Sequence, residues 1–146
     1  MSMSEVRVAP VGVASDEILA ACHRLIPQLS SSSRPITLAE FTEIVDSEST
    51  VLFAARRGTE IVGLLTLVVF RIPTAVRAWI EDVVVDESAR GSGVGEALSR
   101  AALAEAVRRG AKTVELTSRP SREAANRLYQ RIGFVRRHTN VYRYEV

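Results

Sequence analysis

The stretch "WIEDVVVDESARGSGVGEAL", residues 79–98, decides how the whole chain is read. Trp79, Ile80, Val83, Val84 and Val85 are the branched and aromatic residues of a strand meant for an interior. Glu81 and Asp82 break that pattern in mid-strand, where an unpaired charge is costly to bury. Arg90 then opens a turn carrying Gly91, Gly93 and Gly95, and an alanine-rich helix follows. Acid inside a core strand and bare backbone just after it need a common explanation.

The turn is the more legible half. "RGSGVG", residues 90–95, has little side-chain bulk, so several backbone N–H groups can approach one ligand together. The helix behind it adds uncapped amides and the positive end of its dipole, which together make a phosphate cradle. A glycine-rich connection without a ligand is the plainer alternative. Two nucleotide signatures fail here. A P-loop wants lysine and then serine or threonine after its last glycine, where Glu96 and Ala97 stand; the dinucleotide fingerprint wants glycine in place of Glu96. What remains is Arg90-x-x-Gly93-x-Gly95 directly behind a run of valines.

Outward from this stretch, the remaining elements follow from periodicity and caps. Glu5 to Val13 alternates valines around Pro10, the pattern of an edge strand. Ser15 and Asp16 cap a helix with Ile18, Leu19, Cys22, Leu25 and Ile26 at helical spacing, and "PQLSSSSR", residues 27–34, reads as a loop. Thr37 and Glu40 form a capping box for a second helix with Phe41, Ile44 and Val45 inward. Thr50 to Phe70 reads as two strands joined at Arg57-Gly58-Thr59, the second apolar on both faces and therefore central. Behind the glycine turn come a helix to Arg109, a strand from Lys112 to Thr117, and a helix capped by Ser121 with Ala124, Ala125, Leu128 and Ile132 inward. Phe134 to Arg137 and Val141 to Val146 read as two closing strands. The order β-α-α-β-β-β-α-β-α-β-β predicts an α/β chain with a mixed, mostly antiparallel sheet and helices on both faces.

Composition narrows the function. The 146 residues suit one domain, 1–146, and 47% hydrophobic with 25% charged is the balance of a globular chain. A formal charge of +2 demands no nucleic-acid partner, and aromatic residues that could stack on bases are scarce. Arginines crowd the last third, from Arg108 to Arg143, which suggests an anionic ligand nearby, although solvated helix faces would explain most of them. Cys22 has no cysteine to pair with and reads as a packing residue; no cluster suggests a metal. No secretory leader precedes Val6 and no apolar run is long enough to span a bilayer, so a cytoplasmic protein without a membrane partner is expected.

Arg90-x-x-Gly93-x-Gly95 behind the valine strand resembles the coenzyme-A loop of the GNAT superfamily of acyl-CoA N-acyltransferases. "NRLYQRIGF", residues 126–134, is similar to that family's other common segment, and the element order resembles the family fold from Val6 to Val146. The resemblance implies acetyl-CoA as co-substrate and no metal. Its pyrophosphate would lie on Arg90, Gly91, Ser92, Gly93, Val94 and Gly95. Its pantetheine arm would pair with free backbone of Val83, Val84 and Val85, in a gap between this strand and the next. Glu81 would take the proton of an incoming amine, and Tyr129 would protonate the leaving thiolate. Asn126 would bond the pantetheine arm, while Asp82 and Trp79 would line the acceptor pocket.

Each role has a plainer alternative: internal ion pairs for the acids, core packing for Trp79 and Tyr129, a solvated helix polar for Asn126. Strand alternation puts Glu81 and Asp82 on opposite faces, and which of them is the base stays open. "IEDVVV", residues 80–85, also resembles glucosamine-6-phosphate N-acetyltransferases, but the preceding helices do not, so that substrate is not carried over. The expected activity is N-acetylation of a primary amine, on a small molecule or a protein N-terminus. A non-catalytic acyl-CoA-binding sensor is the alternative. Dimers are common in the family, and the sequence leaves the oligomeric state open.

Overall fold

The structure is a computed structural model and describes residues 5–146. Residues 1–4, part of the stretch on which the absence of a leader was read, lie outside the described residues. The elements are β1 (Val6–Pro10), α1 (Asp16–Leu29), α2 (Leu38–Asp46), β2 (Thr50–Arg57), β3 (Glu60–Ile72), β4 (Ala75–Val85), a 3-10 turn (Glu87–Ala89), α3 (Val94–Arg108), β5 (Thr113–Glu115) and α4 (Glu123–Arg131). The strands form one sheet in the order β1-β2-β3-β4-β5. The first three pairings are antiparallel, and β4 with β5 is parallel. This is the mixed α/β sheet that the periodicity predicts.

Helices cover both faces. On one, Val94, Leu98, Ala102 and Ala106 of α3 pack on Val62, Leu65 and Leu67 of β3. On the other, Ile18, Cys22 and Leu25 of α1 and Phe41 of α2 pack on Leu52, Ala54 and Leu64. β3 therefore buries an unbroken run from Ile61 to Leu65, as a strand apolar on both faces should. Gly63 lies inside that run. A Cβ there would stand 2.8 Å from Val94 Cγ1 and 3.0 Å from Leu98 Cδ1, so the missing side chain lets α3 lie directly on β3. Cys22 is buried, which pushes its thiol pKa up.

The caps act as their residue types dictate. Ser15 Oγ accepts from the Ile18 amide at 3.3 Å. Thr37 and Glu40 make a reciprocal capping box, with the Thr37 amide on Glu40 Oε1 at 2.9 Å and the Glu40 amide on Thr37 Oγ1 at 3.1 Å.

Several expected boundaries are corrected. α1 runs through Pro27 to Leu29 instead of ending at the proline. In a last turn, the missing N–H of proline sacrifices only one backbone bond, and Leu29 continues the apolar packing. α4 begins after Arg122, not Ser121, and no side chain caps it. Most notably, residues 134–146 form neither helix nor strand, so the two closing strands are not present. β5 is only three residues long and offers too short an edge to hold another ladder. Val135, Val141, Tyr142 and Tyr144 accordingly stay exposed. Among the described residues, no helix is long and apolar enough to cross a membrane, and no group of three or more His, Cys, Asp or Glu could hold a metal ion.

Candidate active site

β4 and β5 pair only at Arg77–Thr113, Ala78–Val114 and Trp79–Glu115. Beyond Trp79, β4 keeps its pairing with β3, where Glu81 opposes Thr66 and Val85 opposes Gly63. Its other edge is left with backbone groups that no strand satisfies, a costly arrangement unless something else binds there. A bulge accompanies the divergence: Asp82 and Val83 together stand opposite the single residue Leu65. Asp82 takes φ +48, a left-handed value that aspartate tolerates better than a branched residue does.

Glu81 and Asp82 are both exposed, and both line the same cleft. The acids are therefore not in the core, and their presence in an otherwise apolar strand costs no unpaired burial.

In the turn after β4, Arg90 donates its amide to the Glu87 carbonyl at 3.4 Å, and among the described residues the Gly91, Ser92 and Gly93 amides meet no acceptor. Gly91 and Gly93 adopt φ +78 and +88, and a Cβ at either would meet no protein atom within 4 Å. Gly93 is the N-cap of α3 and supplies no side-chain hydrogen bond, so no side chain caps the first amides of the helix. Ser92 turns its hydroxyl back to donate to the Ala89 carbonyl and does not line the cleft. Gly95 serves packing as well: a Cβ there would come within 3.2 Å of Leu128 Cδ2, so the glycine lets α4 approach α3. Glu96 pairs with Arg131 at 3.0 Å and Arg100 at 3.1 Å, which removes its negative charge as an obstacle to an anion at this helix end.

α4 supplies the facing wall. Tyr129 is its buried residue and packs edge-on against Phe134, with ring centroids 5.7 Å apart and planes at 70°. Burial pushes the phenol pKa up, and the nearby charge of Arg122 offsets only part of that. The phenol therefore holds its proton at neutral pH. Asn126 donates from Nδ2 to the Arg119 carbonyl at 3.0 Å, fixing the loop after β5 rather than facing the cleft.

Glu81, Asp82, Val83, Val84, Val85, Arg90, Gly91, Gly93, Val94, Gly95 and Tyr129 thus line one open cleft of about 1390 Å³. Trp79, Ser92 and Asn126 do not. Trp79 is half-buried at the last rung shared with β5. Sequence reasoning missed the end of α1, where Gln28, Leu29, Ser30 and Ser33 complete the cleft. It was hidden because Pro27 read as a helix stop. The arginine-rich composition did signal another part of the lining, Arg119, Arg122, Arg127, Arg131 and Arg143, a set suited to an anionic ligand. A smaller hollow of about 380 Å³ is enclosed by residues 136–140 alone and gathers no other element.

Comparison with known proteins bears on the family and the fold. Residues 17–134 match the family model described as Acetyltransferase (GNAT) family. No curated protein matches the sequence. A solved structure described as a transcriptional regulator from Bacillus halodurans C-125 is similar at 27% identity, covering 97% of this chain and 100% of that one, with a TM-score of 0.82. An acetyltransferase from Trypanosoma brucei is similar at 25% identity over 97% of this chain and 100% of that one, with a TM-score of 0.78. An aminoglycoside acetyltransferase from an uncultured soil metagenomic sample, solved with sisomicin, shares the fold with a TM-score of 0.84. Its identity is 17% over 97% of this chain and 95% of that one.

Proposed function

Because this chain belongs to the GNAT acetyltransferase family, we propose that it moves an acetyl group from acetyl-CoA to a primary amine by direct attack, with no covalent enzyme intermediate. One observation carries the reading. The edge of β4 that β5 leaves unpaired, the bare turn at 90–95, the acids at 81 and 82, and Tyr129 all open on a single cleft.

The donor fits the residues present. Free N–H and C=O groups of Val83 to Val85 suit the amide-bearing pantetheine arm, as a strand suits its neighbour. Uncapped amides at the start of α3 and the arginines beside them suit its phosphates. Bound there, acetyl-CoA supplies the activated acyl group.

The chain's own groups then handle protons. An amine arrives as an ammonium and must lose one proton to expose its lone pair. Glu81 accepts it, directly or through a water, while Asp82 holds the cationic end of the acceptor. Amides of β4 polarise the thioester carbonyl. As the N–C bond forms and the C–S bond breaks, the nitrogen releases its second proton to solvent, and Tyr129 gives its proton to sulfur and regains one from solvent.

The test is thiol release from acetyl-CoA in the presence of a broad panel of primary amines, small cations and peptide N-termini included. Amine-dependent release supports the transferase. The likeness to a chain described as a transcriptional regulator favours a second reading, an acyl-CoA-binding module without turnover. Tight acetyl-CoA binding with no release for any amine would decide for that.

A further inference from the structure

We infer that Arg24, Gln28 and Asp86 tie the last turns of α1 to the turn proposed to hold acetyl-CoA, and that Gln28 is a positioning residue for that donor. The inference rests on the proposed donor site. Arg24 and Gln28 are four residues apart on α1 and so share a face. Arg24 Nη1 donates to Asp86 Oδ2 at 3.1 Å, and its Nη2 donates to the Ile61 carbonyl at 2.8 Å. Gln28 uses both ends of its amide. Its Nε2 donates to Asp86 Oδ1 at 3.4 Å, and its Oε1 accepts from the Glu87 amide at 3.0 Å. Asp86 also receives the Ser88 amide at 3.4 Å, and its own amide donates to the Val62 carbonyl at 2.8 Å.

The turn needs such an anchor. Two of its glycines have positive φ, and α3 behind it has no side-chain cap, so its own sequence restrains it weakly. Among the described residues, Arg24 and Gln28 are the side chains from outside residues 86–93 that hydrogen-bond to this segment. Gln28 also lines the cleft on the side away from α4, beside Leu29 and Ser30. One residue thereby joins a wall of the cleft to the turn proposed to orient the donor. Burial works against the charge of Asp86, yet the Ser88 amide, Gln28 and Arg24 outweigh it and hold the carboxyl below its ordinary pKa, so the tie is ionised at neutral pH.

The experiment compares wild type with Gln28→Leu, Arg24→Leu and Arg24→Lys. Amide exchange over residues 87–93 is read without ligand, and KM and kcat are then measured for acetyl-CoA. Gln28→Leu should speed exchange of the Glu87 amide about tenfold and raise KM for acetyl-CoA about three- to tenfold, with kcat at saturation within about twofold. Arg24→Leu should act in the same direction. Arg24→Lys keeps the charge but cannot hold Asp86 and the Ile61 carbonyl together, so it should fall between. Unchanged exchange and KM in all three variants, with melting temperatures showing them folded, would overturn the tie; so would a fall in kcat alone. If wild type does not bind acetyl-CoA, the donor reading fails separately. Faster exchange in Gln28→Leu would then still support the tie, and unchanged exchange would overturn it.

Discussion

Trp79 on β4 stands opposite Glu115 on β5, and no later residue of either strand is paired with the other. Everything proposed for the site depends on that last rung. Before it the sheet is continuous; after it, β4 follows β3 and leaves a polar backbone edge for a ligand.

The glycine turn gives the first prediction. A Cβ at Gly93 would meet no protein atom within 4 Å, so a side chain there would intrude only on the proposed donor, and φ +88 adds strain for any other residue. Gly93→Val should weaken acetyl-CoA binding by about tenfold or more, or about 1.4 kcal/mol. Calorimetric titration of the folded variant checks this; an unchanged affinity removes the cradle.

Glu81→Gln keeps the shape of the side chain and removes the proton acceptor. Turnover should fall on the order of a hundredfold with acetyl-CoA affinity intact, and the deficit should shrink as rising pH deprotonates the amine by itself. Since Asp82 lines the same cleft, Asp82→Asn is the necessary companion. A loss in Glu81→Gln that is equal at every pH, with the pH-dependent loss appearing in Asp82→Asn, transfers the role to Asp82.

Tyr129→Phe deletes one hydroxyl and keeps the ring contact with Phe134. Burial raises the pKa of the phenol, so it keeps its proton throughout the neutral range. Turnover should fall with acetyl-CoA and fall less with an acyl donor whose thiol leaves readily unprotonated. Equal losses with both donors would return Tyr129 to a packing role.

Gly63→Ala tests the seat of α3. The new Cβ would lie 2.8 Å from Val94 Cγ1 and 3.2 Å from the Val84 carbonyl, so the start of α3 must shift. Overpacking of this kind costs about 1–3 kcal/mol, to be read as a lower denaturation midpoint. Acetyl-CoA affinity should drop as well, because α3 carries the cradle amides. A fully stable variant would mean that α3 adjusts freely.

The α2 cap carries a pH signature. Bonds from Arg34 and from Thr37 lower the Glu40 pKa from 4.5 to about 2. A folded-state pKa below the unfolded one means that the cap's contribution is complete above about 4.5 and is lost as pH falls toward 2. Carboxyl NMR should find the Glu40 midpoint near 2, and Arg34→Ala should move it up. An ordinary midpoint in wild type would show that the cap does not persist in solution.

The elements with strong local signals were legible in the sequence. Ser15, Thr37 with Glu40, and the doubly apolar β3 announced themselves because caps and periodicity are properties of neighbours along the chain. The glycine turn was legible for the same reason. What failed depended on partners elsewhere. Pro27 stops a helix in isolation, but here Leu29 gains packing beyond it. The bulge at Asp82 arises only when β4 must match β3. Val141 to Val146 has the composition of a strand and finds no edge to join. Gln28 was invisible because its importance lies in residues 86 and 87, far along the chain.

Trp79 is the chain's single tryptophan. An indole half-exposed at the rung where two strands part reports how those strand ends are held, since its emission responds to the polarity and rigidity of its surroundings. The protein thus carries its own optical gauge at the mouth of the gap. Because Trp79 does not line the cleft, a change in its emission on adding acetyl-CoA would report a shift of the strand ends, without a label and without turnover.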